Sequence, residues 1–273
     1  MERMLVLGAS GLVGRALIRQ FQDKYELYGT YRSSLPDLPE DRRFQLEVGE
    51  IDKGSKIVRH LRPAVVISSL RGNYDEQLAL HERVAVEMNP IGSRMYYFST
   101  TNVFDGDDSR PHTEEDTPVS TSDYGSFKIQ CENRLKDALK ERAVIIRIPA
   151  IWGKESPRWN QLVQSRRGQK PVEVYANVRC THMLDVTLAK QTAFLVDHRL
   201  EGTFHLSSSD SITQSEFYEQ LLEKGGGDSS LLQHRYHQDK ETMYYFALAS
   251  ARKEIPDSLK NTNADIIGAL LAR

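Results

Sequence analysis

Apolar residues along the chain gather into short runs, divided by longer amphipathic stretches. Seven runs have the length and the β-branched or aromatic content of strands: 4–7, 26–31, 44–48, 64–69, 94–99, 143–148 and 202–206. Between them, apolar positions recur at helical spacing over 12–23, 54–60, 75–88, 124–140 and 185–197. Several of the strand runs are apolar almost throughout, which marks strands covered on both faces. Strand and helix in alternation predict an α/β fold, a Rossmann-like doubly wound parallel sheet.

The alternation falters after position 148. Residues 150–175 are loop-rich, with Pro157, Gly168 and Pro171, and residues 208–273 read as short helices around Gly225-Gly226-Gly227. The expected organisation is therefore a Rossmann domain of residues 1–149 and 176–207. A small C-terminal substrate-binding lobe would be made of 150–175 and 208–273. In such folds the ligand cleft lies at the carboxyl ends of the strands.

The first strand runs straight into Gly8, Gly11 and Gly14, and a helix opens at once. Gly8 permits a tight turn, Gly11 lets backbone N–H groups approach a pyrophosphate, and Gly14 lets the helix pack on its strand. The helix N-terminus then meets the anion with unpaired donors and the positive end of its dipole. Ser10, Leu12 and Val13 complete this cradle. The spacing is G-x-x-G-x-x-G rather than the common G-x-G-x-x-G, so a merely tight βα turn is the alternative reading.

The second strand ends in Arg32, Ser33 and Ser34, where an acidic residue would grip an unphosphorylated ribose. A cation with two hydroxyls suits a 2′-phosphate, so NADPH is expected, with NADH as the alternative. Arg32 also reads as a solvated loop arginine. Glu47, beside Val48, is placed to accept from the adenine amino group, or is simply an exposed carboxylate. Strand order places Ser68, Ser69 and Leu70 on the ribose and nicotinamide side, with Ser99 and Ile148 also against the cofactor.

Tyr124 and Lys128 stand at i and i+4 on one helix face. A neighbouring ammonium favours the tyrosinate and fits the phenol for acid–base work. The lysine can also hold the cofactor ribose. The spacing alone means little, since Tyr236 and Lys240 repeat it; context separates the two pairs. Before Tyr124 come the strand 94–99 and the hydroxyls of Ser99, Thr100 and Thr101, at the cleft end. A hydroxyl, a tyrosine and a lysine around a nicotinamide make a carbonyl-reduction site.

Composition narrows the field. The chain has 273 residues and a net charge of −2, so no basic field points to nucleic acid. No apolar run reaches membrane-spanning length. The first strand leaves no room for a signal peptide, and Cys131 and Cys180 lack metal-ligand spacing, so a cytoplasmic setting with free thiols is expected. No metal site is expected. His112, Glu114, Glu115 and Asp116 resemble a ligand cluster but read better as a solvated acidic loop, a candidate substrate lid. Cys131 is expected in the core, and Asp185 as a helix cap.

Four segments carry a family resemblance: Gly8 to Gly14, Ser99-Thr100-Thr101-Asn102-Val103-Phe104-Asp105-Gly106, Tyr124 to Lys128, and Arg147 to Gly153. With them the chain resembles the extended short-chain dehydrogenase/reductase superfamily, most closely the dTDP-4-dehydrorhamnose reductase family of sugar-nucleotide-binding proteins. The family shows Ser-Thr-Asp-Tyr-Val-Phe-Asp-Gly at the second segment. The resemblance implies Thr100, Tyr124 and Lys128 as catalytic residues, with Tyr124 protonating a carbonyl that Thr100 orients. It implies a small-molecule substrate, a 4-keto sugar on a nucleoside diphosphate, met by Thr101, Asn102, Val103, Phe104, Trp152 and Arg179. Arg179 reads equally as a diphosphate ligand or a surface cover, and Trp152 as a pocket wall or as core; Trp159 also flanks the expected cleft. A homodimer is the default expectation.

The chain departs from the family at Thr101-Asn102, at Val178–Thr181, and in a shortened stretch from 75 to 99. The first two of these departures motivate an alternative, a non-catalytic dinucleotide-binding regulatory subunit. A third reading is an NAD-dependent sugar-nucleotide epimerase or dehydratase. Arg32 speaks against an epimerase, and Thr101-Asn102 supplies no acidic residue for a dehydratase.

Overall fold

The computed structural model describes residues 1–272. Its first half alternates strand and helix: β1 (Arg3–Leu7), α1 (Leu12–Phe21), β2 (Glu26–Tyr31), β3 (Arg43–Gln45), α2 (Ile51–Leu61), β4 (Val65–Ser68), α3 (Tyr74–Met88), β5 (Arg94–Thr100), α4 (Asp123–Leu139) and β6 (Ala143–Ile148). Shorter elements follow: β7 (Ala150–Trp152), α5 (Pro157–Gly168), β8 (Val172–Tyr175), β9 (Val178–Cys180) and β10 (His182–Leu184). Then come α6 (Asp185–Asp197), β11 (Thr203–His205), β12 (Ile212–Thr213), α7 (Gln214–Lys224), β13 (Leu232–Arg235), β14 (Tyr244–Phe246) and α8 (Asn263–Leu271).

Seven strands form the central sheet in the order β11-β6-β5-β4-β1-β2-β3. Every neighbouring pair is parallel. The chain winds outward from β1 in one direction through β2 and β3, and in the other through β4, β5, β6 and β11. The reversal between β1 and β4 opens a crevice at their carboxyl ends, the usual ligand position in doubly wound sheets.

Alternate strand residues feed two apolar layers. Met4, Val6, Ile67 and Phe98 face α1 and α6, while Leu5, Leu7, Val66 and Tyr97 face α2, α3 and α4. All eight are essentially buried. At roughly 1.5–3 kcal/mol for each large apolar side chain, these layers are what hold the sheet between its helices. A third cluster lies beyond the sheet, where Trp152, Leu162, Phe217, Leu221, Ile266 and Leu270 pack together. It is framed by small sheets that pair β10 with β7, β8 with β13, and β9 with β12 and β14. The expected boundary at 176 thus falls between β8 and β9.

Several elements differ from expectation for local reasons. β3 ends at Gln45 because the chain turns away at Glu47, whose N–H donates to Glu50 Oε2 at 2.8 Å. α2 starts at Ile51 and carries Gly54 inside it; a Cβ there would sit 2.5 Å from Leu80 Cδ1, so the glycine admits α3. α6 begins at Asp185 itself. Leu184 holds the cap position, and the Asp185 carboxylate accepts the Val186 N–H at 2.8 Å. Strands β12, β13 and β14 lie where only short helices were expected. No described helix is long and apolar enough to cross a membrane.

Candidate active site

The glycine turn sits at the switch point between β1 and β4. Gly8 has φ +86°, and its N–H donates to Thr30 Oγ1 at 3.0 Å. A Cβ on Gly14 would lie 2.2 Å from the Gly8 carbonyl oxygen, so any larger residue would push α1 off its strand. A Cβ on Gly11 would meet nothing closer than 3.5 Å, which leaves the space above it open. Gly11 caps α1 without any side-chain hydrogen bond, and the first turn has no acidic residue. The N–H groups of that turn are therefore free to meet an anion. Ser10, Leu12 and Val13 line this turn half-buried, and Ser69 braces it, its hydroxyl donating to Leu7 O at 3.2 Å and Gly8 O at 3.3 Å.

Arg32 and Ser33 lie exposed just past β2, and Gln45 Nε2 holds the Arg32 carbonyl at 3.0 Å. The Arg32 guanidinium makes no ion pair among the described residues. Glu47 is exposed in the turn beyond β3, while Val48 is half-buried and close enough to exclude a Cβ at Gly72. Leu70 is half-buried after β4. Ser68 must be reassigned. It is buried, and its hydroxyl is 2.7 Å from His81 Nε2, so it faces α3 and not the cleft. Burial holds His81 down to about 3, which keeps that imidazole neutral.

At the end of β5, Thr100 donates its hydroxyl to Asn102 Oδ1 at 3.1 Å. The N-terminus of α4 is wedged against the same turn. Ser122 caps it, accepting the Gly125 N–H at 3.1 Å, and Asp105 binds Ser120, Thr121 and Ser122. A Cβ on Gly125 would stand 2.2 Å from the Asn102 carbonyl oxygen, so glycine there lets α4 seat. Tyr124 consequently stands beside Thr100 with its ring partly open to solvent. Burial raises its phenol above the ordinary value, and the Thr100 hydroxyl offsets part of that rise.

Lys128 is buried one turn further along α4. Its ammonium donates to the Phe98 carbonyl at 2.9 Å, lies 4.6 Å from the Tyr97 ring centroid and 6.0 Å from that of Tyr124. Burial lowers its pKa to about 8. The pair shares a face as expected, but the expected lowering of the tyrosine is absent. The ammonium is tied to β5, and burial of the phenol dominates.

Further residues expected at the cleft turn away from it. Ser99 is buried, and its hydroxyl donates to Glu132 Oε1 at 2.5 Å, away from the cofactor side. Val103 and Phe104 are buried as well, packed with Leu248, so they shape the turn from beneath and offer no face to a substrate. Trp152 is 1% exposed and packs against Phe217 at 5.1 Å in the third cluster, which makes it core and not a pocket wall. Thr101 is buried too, its hydroxyl donating to Ile148 O at 3.3 Å, while Asn102 and Ile148 stay half-buried. The Arg179 guanidinium is held by Ser211, with Nε 3.2 Å from its hydroxyl.

The acidic loop is pinned down rather than solvated. Glu114 accepts the N–H of His205 and of Ala251, both at 2.8 Å, and the hydroxyl of Ser250 at 2.7 Å. His112 stacks on Phe104 with centroids 4.3 Å apart, and Asp116 pairs with Arg110 at 2.6 Å. Among the described residues no three His, Cys, Asp or Glu side chains converge as metal ligands.

Directly beneath the site lies a buried ionic network that the hydrophobic pattern does not reveal. Arg147 on β6 binds Glu132 through Nε at 3.1 Å and a terminal nitrogen at 2.7 Å, and approaches His205 Nε2 at 3.3 Å. Its guanidinium also lies 5.0 Å from the Phe104 ring centroid. Two signals point to it: a lone arginine inside an apolar strand run, and a glutamate four residues after Lys128. A buried charge demands a partner.

Comparison with known proteins adds a family. Residues 73–242 match the model described as "RmlD substrate binding domain". The chain is 24% identical over 251 residues to the probable low-salt glycan biosynthesis reductase Agl14 of Haloferax volcanii, covering 84% of this chain and 82% of that one. It is 28% identical over 245 residues to methionine adenosyltransferase 2 subunit beta of Rattus norvegicus, covering 79% and 70%. In fold it is similar to dTDP-4-dehydrorhamnose reductase from Bacillus anthracis, solved in complex with NADP. That match has a TM-score of 0.76 and 20% identity and covers 90% of each chain.

Proposed function

The chain belongs to the RmlD substrate binding domain family, in the extended short-chain dehydrogenase/reductase superfamily, and from that premise we propose that it is an NADPH-dependent reductase of a nucleotide-linked keto sugar. One observation carries the reading. Thr100, Tyr124 and Lys128 gather at the carboxyl end of β5, beside an open glycine cradle at the switch point of the sheet.

The cradle at Gly8, Gly11 and Gly14 fits a pyrophosphate, because the first turn of α1 has no side-chain cap on its N–H groups and the space above Gly11 is open. Arg32 and Ser33 would hold the 2′-phosphate, and Lys128 the nicotinamide ribose. When bound there, the nicotinamide would supply hydride. Thr100 orients the substrate carbonyl by donating its hydroxyl to the oxygen. Tyr124, kept protonated by its raised pKa, delivers the phenolic proton to that oxygen, and solvent restores it. The free thiols of Cys131 and Cys180 support a cytoplasmic setting.

Replacing Arg32 with alanine is expected to weaken NADPH binding roughly 10- to 100-fold, the worth of one charge-assisted phosphate contact, and to leave NADH binding unchanged. Parallel fluorescence titrations of the two cofactors check this. Equal loss for both would remove Arg32 from the phosphate.

Lys128 gives a pH dependence of opposite sign for activity and stability. With its pKa at about 8, the ammonium is lost as pH rises through that value, and turnover is expected to fall with it. Between about 8 and the ordinary 10.5 the unfolded chain holds one more proton than the folded chain, so this group makes stability rise with pH in the same window. Rate profiles and denaturation midpoints measured across that range separate the two.

A second reading is favoured by the subunit-beta relatives: a dinucleotide-binding subunit of another enzyme. Titration with NADPH followed by a panel of dTDP-linked keto sugars decides. Cofactor binding with turnover supports the reductase. Cofactor binding without turnover, together with a co-purifying enzyme, supports the subunit.

A further inference from the structure

The turn between β4 and α3 carries an aromatic and a cation that the mechanism does not use. Tyr74 opens α3. Its ring lies parallel on Phe127, with centroids 4.8 Å apart and planes 7° apart. The same ring stands 5.8 Å from that of Tyr124, tilted by 42°. Phe127 is buried, yet Tyr74 is 40% exposed and Tyr124 37%. Two tyrosines thus present a joined aromatic surface to solvent at the place where a carbonyl would receive its proton.

The turn is built to hold that surface still. Asn73 Oδ1 accepts the Glu76 N–H at 3.1 Å, and Gln77 Nε2 donates to the Gly72 carbonyl at 2.8 Å. Arg71, exposed in the same turn, acts on both Tyr124 and Lys128 through its charge. It makes no ion pair among the described residues. The turn 101–104, where substrate contacts were expected, offers little in exchange, since Thr101, Val103 and Phe104 are all buried.

We propose that Tyr74 and Arg71 form the sugar-recognition wall of this site. A pyranose has an apolar face of C–H groups and a rim of hydroxyls. An exposed, rigid aromatic ring suits the face, and a guanidinium with five donors suits the rim. Covering Tyr74 also removes apolar surface from water. Specificity for the sugar then resides in the β4–α3 turn, next to the acid that protonates it. The inference rests on the reductase reading.

The test uses the full chain with dTDP-4-keto-6-deoxyglucose and NADPH. Tyr74→Ala is expected to raise KM for the sugar about tenfold, the worth of one aromatic contact, with kcat and NADPH affinity little changed. Tyr74→Phe keeps the ring and is expected to restore KM, and Arg71→Gln to raise it independently. Wild-type turnover with an unchanged KM in Tyr74→Ala overturns this inference alone. So does a parallel loss of NADPH affinity, which would make Tyr74 a cofactor or folding residue. A wild-type protein that binds NADPH but neither turns over any of a panel of dTDP-linked keto sugars nor shows saturation transfer to one by NMR overturns the parent reading, and the wall with it.

Discussion

Glu132→Ala is expected to destabilise the protein by about 3–5 kcal/mol, lowering the melting temperature on the order of 10 °C. The cause is the buried guanidinium of Arg147, which loses both of its carboxylate contacts and keeps only the His205 imidazole and the Phe104 ring, neither of them an anion. Ser99 loses its acceptor at the same time, and Ser99 immediately precedes Thr100. An imidazole carries no negative charge in either protonation state, and burial holds His205 below its ordinary value, so it stays a neutral neighbour and offers no counter-charge. Two further variants separate charge from shape. Glu132→Gln keeps an acceptor for Arg147 and is expected to recover part of the loss. The double replacement Glu132→Leu with Arg147→Met removes both charges and is expected to lie near wild type in stability. Thermal denaturation of the set checks the ordering. A double variant as unstable as Glu132→Ala would mean that packing, not an orphaned charge, sets the cost.

Tyr124→Phe is expected to lower kcat by about 10²–10⁴-fold, the usual worth of a positioned general acid, while leaving NADPH affinity within about twofold. In the proposed mechanism the phenol carries the proton, and the one hydrogen bond it gives up in phenylalanine is that with the Thr100 hydroxyl. The neighbouring ring contacts with Tyr74 survive in phenylalanine, because they involve the ring alone. A variant that retains activity would move the acid elsewhere. One that also loses NADPH would show that the hydroxyl holds the cofactor. Stopped-flow binding and steady-state turnover on the same preparation tell these apart.

The parts of the fold most legible from sequence were those where burial on both faces leaves one choice. The bounds of β2 and β6 coincide with their apolar runs, and β1, β4 and β5 differ by a residue or so at an end. β3 stops short of its apolar run, where the Glu50 side chain takes the Glu47 N–H and turns the chain away. Strands of two to four residues, such as β12 and β14, carry too little pattern to be seen.

The site divides in the same way. The spacing of Tyr124 and Lys128 and the glycine turn are local, and their geometry follows from the chain itself. Side-chain direction at strand ends is not local. Ser99 and Thr100 are adjacent, and a strand sends neighbours to opposite faces, so both could not reach the cleft. Ser99 turned to Glu132 and Ser68 to His81. Both partners lie on helices that the sequence pattern places near the sheet without giving their rotation. Trp152, Val103 and Phe104 went inward because each had an apolar cluster waiting, supplied by segments roughly 65 to 145 positions later in the chain. Arg147 was the clearest missed signal, since a charge in a doubly covered strand is itself a reason to look for a carboxylate.

The most direct test of the proposed chemistry follows the hydrogen. The protein is supplied with NADPH deuterated at nicotinamide C4 and with dTDP-4-keto-6-deoxyglucose, and the sugar product is examined by mass spectrometry and NMR. A reductase of the kind described transfers one deuterium to the former carbonyl carbon in wild type, with the signal lost in Tyr124→Phe. Bound NADPH that leaves every keto sugar offered unlabelled would contradict it.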